Sequence, residues 1–474
     1  MVFAADCKQH IGNSCATGAA NCKEWLFAKP ARHTLQAVQL TRIIIGMIAK
    51  LIRSSNLRTF TLASLAALLA GTGPAQAIEA SPTYKRNAQK AFGSFMEGLW
   101  PEAKARGISR KVFDASRKRI KLQWDIPDLA PPKIKGEQPH ASRKRQAEFG
   151  SPGRYFRDKS LNQLAQIGRR NIAKYARTFD QIEQRTGVDK EVVAAIWGRE
   201  TAFSGAKIPH DAMSVLATQA FLGRRPEFFR PELLAIMEIA QHGTVPVSQL
   251  KSSWAGAMGH TQMLPGLYLK YASDGDGDGK SEIWNSIPDA LATTATFLKA
   301  SGWKPGLSWA YEVEPSVSLD CTLEGSDAGR PIADWITSGA TRVAGRKWSQ
   351  RLNNVTGYLI MPAGRFGPAF VATDNYYAIK NYNESDLYVL YVGNLADRIA
   401  GGGAFKTSWK SVDTFTRATM QKAQRKMVAL GYNVGDTIDG LIGFRTRTAT
   451  GMHQKKLGMA VDCWPNKPFI ARLK

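Results

Sequence analysis

WAGAMGHTQMLPGLYLKYASDGDGDGKSEIWN, residues 254–285, is the stretch from which the rest of the chain is best read. It opens as a polar loop broken by glycines (Gly256, Gly259, His260, Thr261, Gln262, Pro265) and passes into a short helical segment. It ends in an aspartate loop suited to a hard cation. Packing alone does not call for two such elements side by side. Upstream, in VDKEVVAAIWGRE (188–200), Val192, Val193, Ile196 and Trp197 form a helical stripe. Glu200 falls on that same apolar face, at the expected C-terminal end of the helix. Burial and the helix dipole both disfavour a negative charge there. A carboxyl group that holds its proton near neutrality is what a glycosidase general acid requires. The plainer alternative is a structural ion pair between Glu200 and Arg199 or Arg224.

In the aspartate loop, Asp274, Asp276 and Asp278 with Gly279 give the opening D-x-D-x-D-G of a calcium site. Three carboxylates in a tight turn repel one another unless a cation sits between them. Lys280 would offer its backbone carbonyl at the seventh position. Asn285 stands at the twelfth, where a full EF-hand has a bidentate glutamate, so weaker binding or completion from elsewhere is expected. Ser286-x-x-Asp289 also reads as a capping box opening the next helix.

A chain of 474 residues, 44% hydrophobic with twelve tryptophans, has the makings of a globular protein of two or three domains. Its net charge of +25 points to an anionic partner: nucleic acid, a membrane surface or an acidic polymer. Arg143-Lys144-Arg145 and residues 110–121 are the densest basic clusters, which on their own read as solvated faces. From Met47 the sequence runs through basic residues (Lys50, Arg53, Arg58), an apolar core at 60–70, and Ala75-Gln76-Ala77. That is the pattern of a secretory signal over 47–77, with a mature start at Ile78 and a periplasmic destination. Export conflicts with a nucleic-acid partner. The apolar core is too short to anchor the chain in a bilayer, and no cysteine follows it to carry a lipid. Residues 1–46 read as an upstream extension before Met47 as initiator. Cys7, Cys15 and Cys22 lack zinc-site spacing. The remaining cysteines, Cys321 and Cys463, are expected as two separate buried thiols.

Helical patterning covers 82–130 with loops, then 155–185, 189–200, 212–221 and 231–241. A mixed region rich in β-branched residues occupies 310–375, and a further helix is expected at 385–398. Gly401-Gly402-Gly403 marks a linker over 401–414. Residues 415–474 then read as a separate small unit, with helical runs at 416–430 and 446–457 around a turn-rich centre.

Several motifs together, AIWGRETAFSG (195–205), SWAGAMGHTQMLP (253–265), residues 274–285 and NYNESDLY (381–388), resemble the membrane-bound lytic transglycosylase B family of murein-degrading enzymes. The similarity covers about residues 85–400, which extend over the catalytic unit expected at 78–400. The resemblance implies a mainly α, lysozyme-like catalytic domain. By position, Glu200 matches the single catalytic acid/base, and Ser253 and Gln262 match groove residues beside it. Tyr382, Asn383 and Tyr388 match positions near the scissile bond, while Arg224 and Arg225 match an arginine pair lining the cleft. His260 departs from the family, which usually carries an uncharged residue there. Asp289 would complete a structural Ca2+ site with Asp274, Asp276, Asp278 and Lys280; no organic cofactor is implied. The tail resembles a three-helix peptidoglycan-binding domain through Leu430-Gly431-Tyr432, Asp439-Gly440, Gly443, Thr446 and Gln454, with His453 where Phe is usual. The expected activity is periplasmic cleavage of peptidoglycan glycan strands by a monomer, with a 1,6-anhydro product. A hydrolytic muramidase and a non-catalytic murein-binding protein are the competing readings.

Overall fold

The computed structural model describes residues 80–134 and 152–473. The upstream stretch 1–46, the export segment 47–77 and Arg143-Lys144-Arg145 lie outside the described residues. The Lys190–Thr201 helix is central and is buried over almost its whole length, from Val192 to Thr201 apart from Arg199. The Asp158–Lys174, Ala176–Thr186, Ile287–Ala300 and Asp386–Ile399 helices pack around it. Because it is wrapped on all sides, its sequence is apolar nearly all round rather than striped. Trp197 is 1% exposed, and truncating such a side chain to alanine typically costs about 3–5 kcal/mol.

The expected helical stretch at 155–185 is two helices. Tyr175 leaves helical geometry (φ −110°, ψ 32°) and separates Asp158–Lys174 from Ala176–Thr186. The helix expected at 231–241 opens instead at Pro226 and runs to His242, with Pro231 inside it. Pro226 fills the helix-opening place where a missing N–H costs nothing. Pro231 forfeits one internal hydrogen bond, which burial of Phe229, Leu233, Leu234 and Ile236 offsets.

The mixed region is an antiparallel four-stranded sheet in the order Ala310–Val313, Ala369–Ala372, Thr356–Ile360, Arg330–Pro331. Tyr311 stands opposite Val371, and Leu359 pairs with Val371 from the other side. One face carries its own core of Tyr311, Val313, Ile332, Trp335, Leu359 and Val371. The strand Ala369–Ala372 leads into the Asp374–Tyr382 helix, which Thr373 caps, and from there into Asp386–Ile399. The sheet thus delivers residues 382–388 to the end of the central helix.

The tail holds three helices, Arg417–Ala429, Phe444–Lys456 and Lys467–Arg472, around Met420, Met427, Trp464 and Phe469. His453 is 5% exposed and packs edge-on to Tyr432 and Phe469, taking the place of an apolar ring. Two expectations need correction. Cys321 and Cys463 are not separate thiols but a disulfide, with Cα atoms 6.2 Å apart. Nor does the tail hang free behind its glycine break: among the described residues it belongs to one compact unit with the chain before it. Trp409, within the expected linker, stacks on Phe156 at 5.0 Å. A hydrophobic side chain and a covalent bond pin a segment that composition alone marks as flexible.

Candidate active site

Glu200 sits in the last turn of the central helix and is 5% exposed. The chain after it takes an uncommon course. Ala202, Phe203 and Ser204 all have positive φ (48°, 59° and 69°), a left-handed turn of three non-glycine residues. Local contacts hold the turn in place. Thr201 Oγ1 accepts from the Ser204 N–H at 3.0 Å, and Trp197 Nε1 donates to Ser204 Oγ at 2.8 Å. The Phe203 ring folds back over Gly198, where a Cβ would lie 2.6 Å from it. This is why Trp197, Gly198, Thr201, Phe203 and Ser204 stand where they do: each shapes the turn that fixes Glu200.

The loop of the opening motif closes on this turn. Met258 and Met263 exchange both backbone hydrogen bonds at 2.8 and 2.9 Å, making a tight hairpin with Gly259 and Gln262 at positive φ. A Cβ at Gly259 would meet the Ile283 carbonyl at 2.4 Å, so only glycine fits. Thr201 Oγ1 donates to the His260 carbonyl at 2.6 Å, and Ser204 Oγ lies 2.6 Å from His260 Nδ1. His260 therefore clasps the loop to the turn beyond Glu200. Burial lowers its pKa, against smaller upward pulls from Glu282 and Asn285.

Tyr382 and Tyr388 lie close enough to Glu200 for its charge to act on both. The Tyr382 hydroxyl donates to the Thr261 carbonyl at 2.6 Å, joining the sheet-delivered segment to the hairpin. Burial first, then the charge of Glu200, push both phenols well above their ordinary pKa, so they remain neutral. Gln262, whose amide donates to the Gly259 carbonyl at 3.0 Å, lies in the hairpin, and Ser253, 5% exposed, lies in the turn that leads into it, its N–H donating to the Ala257 carbonyl at 2.8 Å. Asn383 caps the end of the Asp374–Tyr382 helix and accepts the Ser385 N–H at 3.1 Å. Glu200, Tyr382 and Tyr388 thus converge, with Ser253, Gln262 and Asn383 on the segments that carry them.

The two arginines have described contacts of another kind. Arg224 Nε is 3.2 Å from Asp128, and the Arg225 guanidinium lies over the Phe228 and Phe229 rings at 4.8 and 5.6 Å. Arg199 is stacked over Tyr155 and Tyr391 at 4.9 and 4.8 Å and also feels the charge of Glu200. The roles of Thr201 and Ser204 escape a sequence reading. The signal for them was the T-x-x-S spacing immediately after Glu200.

In the aspartate loop, carboxylate oxygens of Asp274, Asp276 and Asp289 lie within 4.8 Å of one another. Asp274 accepts from Gly277 and Gly279, and these N–H groups hold its pKa below the ordinary value. Asp289 is 1% exposed. Burial, with the neighbouring charges of Asp276 and Asp274, raises its pKa despite hydrogen bonds from Gly275 and Glu282. Mutual repulsion of this kind is what a bound cation relieves, and the all-oxygen donor set fits Ca2+. Asp278 stands outside the trio, accepting the Lys280 N–H at 2.8 Å. The capping-box reading holds by half. Ser286 caps the following helix through the Asp289 N–H, but the Asp289 side chain turns to the loop.

Residues 91–397 match the family described as Transglycosylase SLT domain. SltB3 of Pseudomonas aeruginosa, solved in complex with NAG-NAM-pentapeptide, is 34% identical with a TM-score of 0.70, covering 81% of this chain and 99% of that one. The same relative has also been solved in complex with NAG-anhNAM-pentapeptide. Membrane-bound lytic murein transglycosylase B of Escherichia coli (strain K12) is 28% identical over 241 residues, 48% of this chain and 61% of that protein. The match therefore spans less than two thirds of that relative.

Proposed function

The chain belongs to the Transglycosylase SLT domain family, and from that premise we propose that it is a peptidoglycan lytic transglycosylase with Glu200 as its single acid/base. The observation that carries this reading is the burial of Glu200 at a helix end between two neutral phenols, Tyr382 and Tyr388. It is the carboxylate acting on both. Ordinary glycosidases flank the scissile bond with two carboxyl groups, and substrate-assisted enzymes manage with fewer. In the proposed sequence Glu200 gives its proton to the glycosidic oxygen between N-acetylmuramic acid and N-acetylglucosamine. The muramyl 2-acetamido group assists departure of the leaving sugar. Glu200, now ionised, takes the proton of the muramyl 6-hydroxyl as that oxygen closes on C1. The product is a 1,6-anhydro sugar, and Glu200 regains its proton without water.

Tyr382, Tyr388, Asn383, Ser253 and Gln262 are proposed to orient the sugar, and Arg224 and Arg225 to line the cleft further out. Asp274, Asp276 and Asp289 would hold Ca2+, which would brace the loop between hairpin and helix without touching substrate. The Cys321–Cys463 disulfide and the signal pattern at 47–77 support a periplasmic site of action. No helix among the described residues is long and apolar enough to cross a membrane. The tail is proposed to bind the same polymer.

The test is solubilisation of purified sacculi. The wild-type protein is expected to release muropeptides, and Glu200→Gln to release none above background. Equal release by the two would remove Glu200 from the chemistry.

A further inference from the structure

The tail meets the main body through a buried charge cluster. Arg447, on the Phe444–Lys456 helix, is 3% exposed and grips Glu324 through Nε and Nη2 at 2.9 and 2.6 Å. Its Nη1 donates to the Ile442 carbonyl at 2.9 Å, and Nη2 also lies 3.4 Å from Asp386. Asp386 is the first residue of the Asp386–Ile399 helix and also accepts from the Tyr376 hydroxyl at 2.8 Å and from Lys380. Two residues further along that first turn is Tyr388, beside Glu200; three residues earlier is Asn383. The cation that balances Glu324 and Asp386 together therefore comes from the tail.

We propose that Arg447 is a positioning residue for the Glu200 site, acting through Asp386 on residues 383–388. Without its guanidinium, buried Glu324 loses its cation and half-buried Asp386 is left with Lys380. A buried carboxylate left without its partner must take up a proton or move toward water. Either change loosens the helix turn that presents Tyr388, and small displacements of orienting groups cost rate heavily.

The tail is also held independently of Arg447. A Cβ at Gly451 would lie 2.8 Å from Thr322 Cγ2, and one at Gly325, which has φ +104°, 2.2 Å from the Phe444 ring. With the disulfide, these close approaches keep the tail seated when Arg447 is replaced. Loss of the charge contact can thus be separated from loss of docking.

The inference uses the transglycosylase reading only for its turnover readout. In the full chain, kcat and KM on a soluble glycan oligomer are compared below each melting midpoint, with hydrogen exchange over residues 383–388. Arg447→Met is expected to lower kcat on the order of tenfold or more with little change in KM, and to speed exchange at 383–388. Arg447→Lys should recover part of the kcat. The paired substitutions Cys321→Ser and Cys463→Ser should leave kcat within about twofold of wild type, since the Arg447 contacts to Glu324 and Asp386 remain in place. A folded Arg447→Met with wild-type kcat and wild-type exchange would overturn the proposal, as would an equal loss in the double cysteine variant. Should Arg447→Met fail to fold, Asp386→Asn carries the same expectation, and unchanged kcat and exchange there would overturn it. If the wild type turns over no glycan, the transglycosylase reading falls, and the exchange comparison still decides the positioning claim.

Discussion

Glu200 and Glu324 are both buried glutamates, 5% and 3% exposed, and their surroundings suit them to opposite tasks. Glu324 is committed: the Arg447 fork and the Met361 N–H at 2.9 Å occupy its oxygens. Glu200 lies beside phenols that burial keeps neutral, beneath a hairpin clasped to the turn that follows it. Burial alone therefore does not mark a reactive carboxylate. The partners do: a bidentate cation makes a structural anchor, and neutral hydroxyls leave a carboxyl able to exchange a proton with substrate.

The sharpest way to break this contrast is to remove each charge in turn. Glu200→Gln is expected to cut turnover by about 10²–10⁴ while leaving the melting midpoint near that of wild type. Glu324→Gln should destabilise the fold by on the order of 3 kcal/mol, because it leaves Arg447 buried with a weakened partner. Calorimetry beside a sacculus assay reads both, and a reversed pattern would exchange the two assignments.

The second test concerns the tail seam as a whole. The disulfide closes a loop of 142 residues, and Cys463→Ser is expected to cost about 2–5 kcal/mol by freeing the unfolded chain. Denaturation with and without reductant checks it; a wild-type midpoint unmoved by reduction would contradict it.

A smaller effect is expected at the aspartate loop. Calcium at a hundredfold excess over its dissociation constant should stabilise the protein by about 2.7 kcal/mol. Asp274→Ala with Asp289→Ala should abolish that gain, read as the shift in melting midpoint on adding calcium to chelated protein.

The smallest effect belongs to His260. Burial lowers its folded pKa, so as pH falls below the ordinary histidine value the unfolded chain takes up a proton first. Stability should then decline by up to about 1.4 kcal/mol per pH unit until the folded pKa is passed. His260→Gln should flatten that slope in denaturation midpoints measured between about pH 5 and 8, the range in which histidine titrates.

The same contrast explains what was legible in the sequence. Glu200 could be found because its signal is local: an apolar stripe, a helix end, and a glycine-broken loop that follows in order. The aspartate trio was legible in part, since D-x-D-x-D-G spacing names Asp274 and Asp276. That Asp278 turns instead to Lys280 depends on backbone geometry. The helix start at Pro226 was misplaced because two prolines compete for one role and only packing selects between them. Glu324, Arg447 and the cysteine pair were out of reach. Their partners lie 123 and 142 positions away, and nothing in periodicity or composition brings such residues together.

The measurement that bears most directly on the central claim is the mass of the muropeptides released from purified sacculi by the wild-type protein. If Glu200 works alone and draws the muramyl 6-hydroxyl onto C1, the products carry 1,6-anhydro-N-acetylmuramic acid, each lighter by one water than its reducing-end counterpart. Reducing-end muramic acid as the main product would show that water attacks instead, and would contradict the account.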